Sequence, residues 1–144
     1  MAAWLKTFRK GNPLSPRKSP DQRPPIGGSW TFYEPLSVKP DGSAKLTRQG
    51  EPMGRPSYEV GDLIVGYWSG SYEVGEVWEV TGEPERSELD DWSWQTPVAL
   101  LDDQTTVSLS DLAIRPETVA RRVRLRLRPH QEERLERAFG VEVV

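Results

Sequence analysis

The stretch "GDLIVGYWSGSYEVGEVWEV", Gly61–Val80, decides the fold. Its first part alternates, with Leu63, Val65 and Tyr67 on one face and Ile64, Gly66 and Trp68 on the other. Both faces are mostly apolar, which predicts a central strand over Gly61–Trp68. Ser69-Gly70-Ser71 predicts a turn. "YEVGEVWEV" then predicts the return strand, with Tyr72, Val74, Glu76, Trp78 and Val80 sharing a face. Gly75 marks a bulge or a close backbone approach. Such a hairpin, dense in aromatic rings, suits a small β-barrel. Its rings either fill the core or form a pocket for a flat ligand.

On the N-terminal side, "SWTFYEP" (Ser29–Pro35) predicts a strand that Pro35 ends. A long polar loop follows, with a turn signal at Pro40-Asp41-Gly42 that can hold a brief hairpin. On the C-terminal side, the acidic loop "TGEPERSELDD" leads into "WSWQTPVALL" (Trp92–Leu101). There Pro97 lacks a donor, which predicts an edge strand or a bulge. "VSLSDLAI" predicts an extended piece and a helical turn capped by Ser108 or Ser110. "RVRLRLR" (Arg122–Arg128) alternates throughout, placing Val123, Leu125 and Leu127 inward and the arginines outward. "PHQEERLERAFG" predicts a terminal helix, with Pro129 in its first turn and Gly140 as its stop. The fold class is α+β, mainly β, a barrel of about five or six strands with peripheral helices and the last helix packed on it.

Residues 1–28 carry Lys6, Arg9, Lys10, Arg17, Lys18 and Arg23, broken by five prolines. They predict a basic, Pro-rich flexible arm, with the folded domain over 29–144. Trp4, Leu5 and Phe8 can form one apolar face of a short helical turn within it.

The 144 residues contain no cysteine and a single histidine, His130. This excludes a disulfide framework, a thiolate metal site and a Cys nucleophile, and leaves no cofactor to expect. No serine-hydrolase, P-loop, zinc-protease or dinucleotide motif is present, so an enzyme is not expected. No apolar run approaches the roughly 20 residues that span a membrane. The expected location is the cytoplasm.

The net charge of −3 conceals an asymmetry: an acidic middle lies between basic ends. Two basic blocks of this kind can guide a polyanion to one face. The arginines of "RVRLRLR" suit a stripe along a phosphate backbone, with Arg121, Arg122, Arg124 and Arg126 as candidate contacts. They equally suit an edge strand defended by charge. The aromatics are the other lead, since a flat base is held well between rings. Trp92, Trp94, Trp68, Tyr67 and Trp30 are candidate pocket residues, and Glu76 can meet a ligand's amino group. Trp78 reads as core.

The order "VGDLIVGYWSG", "VGEVWEVTGEPE", "WSWQTPVALL", "VSLSDLAI", "VRLRLRPHQEERLERAF" resembles the EVE domain family of the PUA-like superfamily, relatives of YTH domains. The resemblance covers about residues 29–140 and lies in the order of short motifs. It implies a PUA-like β-barrel whose aromatic pocket takes a modified base of DNA or RNA. Carried over, it points to Trp92, Trp94, Tyr67 and Trp68, and more weakly to Trp30. A polar loop stands where the family usually has a helix after the first strand. Some members are fused to nucleases; here any cutting would come from a separate nuclease or effector protein. Two alternatives stay open: a protein-interaction module, and a sensor of a nucleoside-like small molecule using the same pocket.

Overall fold

The computed structural model describes residues 1–8, 24–120 and 122–143. Among these residues, seven strands form one curled sheet: β1 (Ala3–Phe8), β2 (Ser29–Pro35), β3 (Leu63–Trp68), β4 (Glu73–Val80), β5 (Glu85–Arg86), β6 (Trp92–Ser108) and β7 (Arg124–Arg126). A 3-10 turn (Ser110–Leu112), a short helix α1 (Pro116–Val119) and a longer helix α2 (Pro129–Phe139) complete it. The strand order is β2-β6-β4-β3-β1-β7, with β5 paired to β6 beside this path. It is a small α+β half-barrel, mainly β, as the patterning predicts.

The Gly61–Val80 hairpin forms the middle of this sheet. The expected bulge lies at Gly75–Val77, where Glu76 takes φ 59°. The extra residue changes the facing of the return strand. Val74 and Val77 join Val65 and Leu63 on one face, whereas Trp78 and Val80 join Ile64 on the other. The expectation that Val74, Glu76 and Trp78 share a face is therefore corrected.

The largest correction concerns the expected arm. Residues 3–8 are no part of one: they form β1, parallel to β3 and antiparallel to β7. All six are buried, because both faces of this strand are covered. Ala3 and Leu5 pack on one side, and Trp4 and Phe8 on the other. The backbone N–H of Ala2 and the indole N–H of Trp4 donate to the Asp62 carboxylate at 2.9 and 3.0 Å. The remainder of that reading, residues 9–23, lies outside the described residues.

Pro97 is corrected as well. It lies inside β6, opposite Thr31 of β2, with no break in register there. On its other side β4 has already ended, and the Pro97 carbonyl accepts the Thr81 N–H at 3.0 Å. The missing donor therefore interrupts no β4 ladder bond. The brief hairpin after β2 exists as a bridge from Val38 to Ala44, and a second bridge joins Leu46 to Pro52.

The sheet separates two cores. The convex face is aliphatic: Leu5, Val65, Val74 and Val77 meet Leu112, Val119, Leu135 and Phe139 of the helical elements. Ser108 fixes the 3-10 turn reciprocally, its hydroxyl accepting from Asp111 N–H while its own N–H donates to the Asp111 carboxylate. These bonds hold the Asp111 carboxyl below its usual range. α2 ends where Gly140 takes φ 67°, as its sequence predicts. Gln131 ties it down, accepting from Arg128 N–H at 2.8 Å and donating to the Ala113 carbonyl at 3.1 Å.

The concave face is aromatic. Phe32 meets Phe8 and Trp78 edge-on at 5.3 and 5.1 Å, and Trp4 meets Tyr58 at 5.2 Å. Trp30 and Trp68 pack half-buried against this cluster.

Candidate functional site

The edge strands β2 and β7 approach across the open side of the half-barrel, and side chains join them. Glu34 of β2 accepts from Lys6 Nζ at 2.9 Å and from Arg124 Nη1 at 3.1 Å. Lys6 and Glu34 are almost completely enclosed, at 2% side-chain exposure each, whereas Arg124 keeps 22%. Arg124 also donates to the Gly54 carbonyl at 3.0 Å, tying down the loop after β2. Tyr58 packs nearby, and its hydroxyl has no partner among the described residues. Burial, reinforced by the Glu34 charge, pushes the Tyr58 phenol well above its usual pKa.

Two clefts flank β7 and share Arg122 and Arg126. On the concave side, a cleft of about 460 Å³ runs over Trp4, Glu34 and Gly54. On the convex side, a cleft of about 960 Å³ lies between α1 and the start of α2. Arg115, Arg122, Arg126, Arg128 and His130 line it over a floor that includes Ile114, Pro116 and Leu125, and no carboxylate among the described residues takes part. All four arginine residues are exposed, and none forms an ion pair among the described residues. Such a surface is a ready site for phosphate groups, because planar guanidinium forks match their oxygens.

The arginines expected from "RVRLRLR" thus have different fates. Arg122 and Arg126 stand free at the ridge, while Arg124 turns into the barrel seam. Arg121 lies outside the described residues. Arg128 ends the alternating run and Arg115 lies seven residues before it, and neither was among the expected contacts. Only the folding of α1 against β7 brings them in.

The six candidates for an aromatic pocket do not converge. Tyr67 belongs to the aliphatic face, opposite its neighbour Trp68. Trp94 is buried at 4% exposure, its indole N–H donating to the Pro52 carbonyl at 3.0 Å and the Arg55 guanidinium lying 5.5 Å from its ring. Trp92 leans on Tyr33 at 6.2 Å. Glu76 sits half-buried in the β4 bulge. Trp30 and Trp68 share the concave face and keep part of their rings accessible. No group of His, Asp or Glu side chains among the described residues is placed to hold a metal ion. No helix among them is long and apolar enough to cross a membrane.

No protein-family model matches the chain, and neither does any curated protein. Solved structures do. A Rhodopseudomonas palustris protein determined by NMR is similar over 97% of this chain and 94% of its own, at 14% identity and TM-score 0.61. A crystal structure from Agrobacterium tumefaciens is similar over 96% and 94%, at 15% identity and TM-score 0.52. The YTH domain of a Zygosaccharomyces rouxii protein, in complex with N6-methyladenosine RNA, aligns over 94% and 85%, at 11% identity and TM-score 0.48. At these identities the likeness to the first two concerns the fold alone.

Proposed function

We propose that this chain is an EVE-like, non-catalytic domain that binds nucleic acid, with the phosphate backbone on the β7 ridge. One observation carries the reading: four arginines without ion partners among the described residues gather around one cleft in a chain of net charge −3. Unpaired like charges held together repel one another, and a polyanion relieves that repulsion. The order of sequence motifs supports the family part of the proposal. The finer part is that a base, modified or plain, stacks on Trp68 or Trp30 at the concave face, where ring surface remains accessible.

The test is fluorescence polarisation of labelled single-stranded DNA and RNA across a salt series. Binding should weaken steeply with salt, and the Arg122→Ala/Arg126→Ala double variant should lower the slope by about 1.4, two phosphate contacts at about 0.7 each. Trp68→Ala should weaken binding by about tenfold without changing that slope. Absence of binding at low salt to any plain or modified strand would sink the reading.

A second reading has its own observation. Val38, Leu46, Met53 and Val60 are exposed along the excursion between β2 and β3. Exposed apolar residues on one segment suit a protein partner. A stoichiometric protein partner recovered without nucleic acid, and lost on Leu46→Asp, would favour this reading over the first.

A further inference from the structure

α1 is a wall shared by two clefts. On one side is the arginine cleft; on the other is a smaller cleft of about 320 Å³, and Pro116 lines both. The smaller one lies at the ends of β1 and β3, on the convex side, and its lining includes Thr7, Tyr67, Ser69, Tyr72 and Glu117. Among the described residues no lysine, arginine or histidine contributes to it. Two features there lack a structural reason. The Thr7 hydroxyl belongs to a residue only 8% exposed, yet it has no hydrogen-bond partner among the described residues. A buried hydroxyl in a fold is normally paired. Tyr72 takes φ 58°, a conformation unfavourable for a bulky residue, while the residue is 58% exposed. The turn is held by Ser71, whose N–H and hydroxyl donate to the Trp68 carbonyl, and Tyr72 adds only its backbone carbonyl, which accepts Leu109 N–H at 3.0 Å, so glycine or asparagine would serve at 72 without strain.

We infer that this cleft is a second base subsite, for an unpaired nucleobase bearing an exocyclic amine. The inference rests on the nucleic-acid reading above and extends it. The ring of Tyr72 supplies a stacking face. The Glu117 carboxylate only accepts hydrogen bonds, and the Thr7 and Ser69 hydroxyls can accept, so the lining favours adenine or cytosine over uracil or thymine. The Thr7 N–H donates to the Val123 carbonyl at 2.8 Å, which sets this cleft directly against the β7 ridge. A single strand whose phosphates cross Arg122 and Arg126 can then send one base to the concave tryptophans and its neighbour over α1 to Tyr72. Duplex, with its bases paired inward, cannot bind this way.

The experiment is a titration of the full chain with dA, dC and dT decamers and a dA decamer duplexed with its complement. Amide shifts are followed by NMR, and polarisation is measured on Tyr72→Ala, Thr7→Val and Glu117→Gln. Tyr72 and Glu117 are exposed, and Thr7→Val nearly preserves shape, so each variant should fold. The expected result is shifts at Thr7, Ser69 and Tyr72 with dA and dC, and roughly tenfold weaker binding for Tyr72→Ala. Glu117→Gln should narrow the preference of dA over dT. Strands that bind with unchanged affinity in all three variants and no shifts at this cleft would overturn the second subsite while leaving the ridge intact. If no strand binds at all, the nucleic-acid reading falls and takes this subsite with it. Duplex binding as tight as single strand also overturns it.

Discussion

The two faces of the sheet solve the same problem with different chemistry. The convex face is closed by helices over aliphatic side chains, with its polar groups in caps and turns. The concave face is closed by aromatic rings and a buried ion triad, and it leaves the hydroxyls of Tyr58 and Thr96 and the Trp78 indole N–H without partners among the described residues. A face built only for stability would pair such groups or replace them. On the convex side such a group, the Thr7 hydroxyl, sits at the rim beside the clefts, whereas on the concave side the groups without partners lie within the core itself.

The comparison breaks most readily at Glu34. Glu34→Gln strands Lys6 inside the barrel, while Arg124 can turn to solvent. Loss of about 3–5 kcal/mol in denaturant unfolding is expected. A loss below about 1 kcal/mol would mean that the triad closes nothing. On the other face, Leu135→Ala removes a fully buried side chain from α2 and should cost about 2–5 kcal/mol, with no effect on oligonucleotide affinity beyond that of partial unfolding. Arg122→Ala/Arg126→Ala should do the reverse, weakening binding while leaving stability within about 0.5 kcal/mol.

The smallest effects sharpen the contrast. Thr96→Val and Tyr58→Phe delete unpartnered concave hydroxyls and should be neutral or stabilising by up to about 1 kcal/mol at neutral pH. Tyr58→Phe also has an alkaline signature. In the fold the phenol stays protonated above the ordinary tyrosine value of about 10, whereas the unfolded chain ionises there. Below that value the phenol is neutral in both states and adds no pH dependence; as pH rises beyond it the unfolded chain ionises and the fold loses stability. The wild type should therefore lose stability above about pH 10 faster than Tyr58→Phe, as followed by tryptophan fluorescence.

The central hairpin up to its bulge, β2, the first part of β6 (Trp92–Leu101) and α2 were legible from their apolar periods; the polar stretch 102–106, which carries β6 on to Ser108, has no such period. β1 was not. Lys6 in the middle of "AWLKTF", followed by more basic residues and prolines, carries the signature of a tail. Its partner Glu34 stands 28 residues away, and no local pattern advertises a buried pair across that distance. The aromatic site failed for a different reason. A tryptophan spaced to face a core and one spaced to face a pocket have the same period, and only the cover over Trp94 by residues 52–55 tells them apart. Arg122 and Arg126 were visible as charges on an alternating strand. The cleft they share needed the crossing of α1, which the sequence leaves undetermined.

The placement of β1 also has a consequence in time. Its neighbours are residues 63–68 and 124–126, so β1 finishes its pairing with a strand made more than a hundred residues later. Such non-local closure slows folding. At synthesis rates of about 5–20 residues per second, a growing chain holds this apolar strand unpaired on one edge for several seconds after β3 emerges. Refolding from denaturant is free of that delay, because β7 is present from the start.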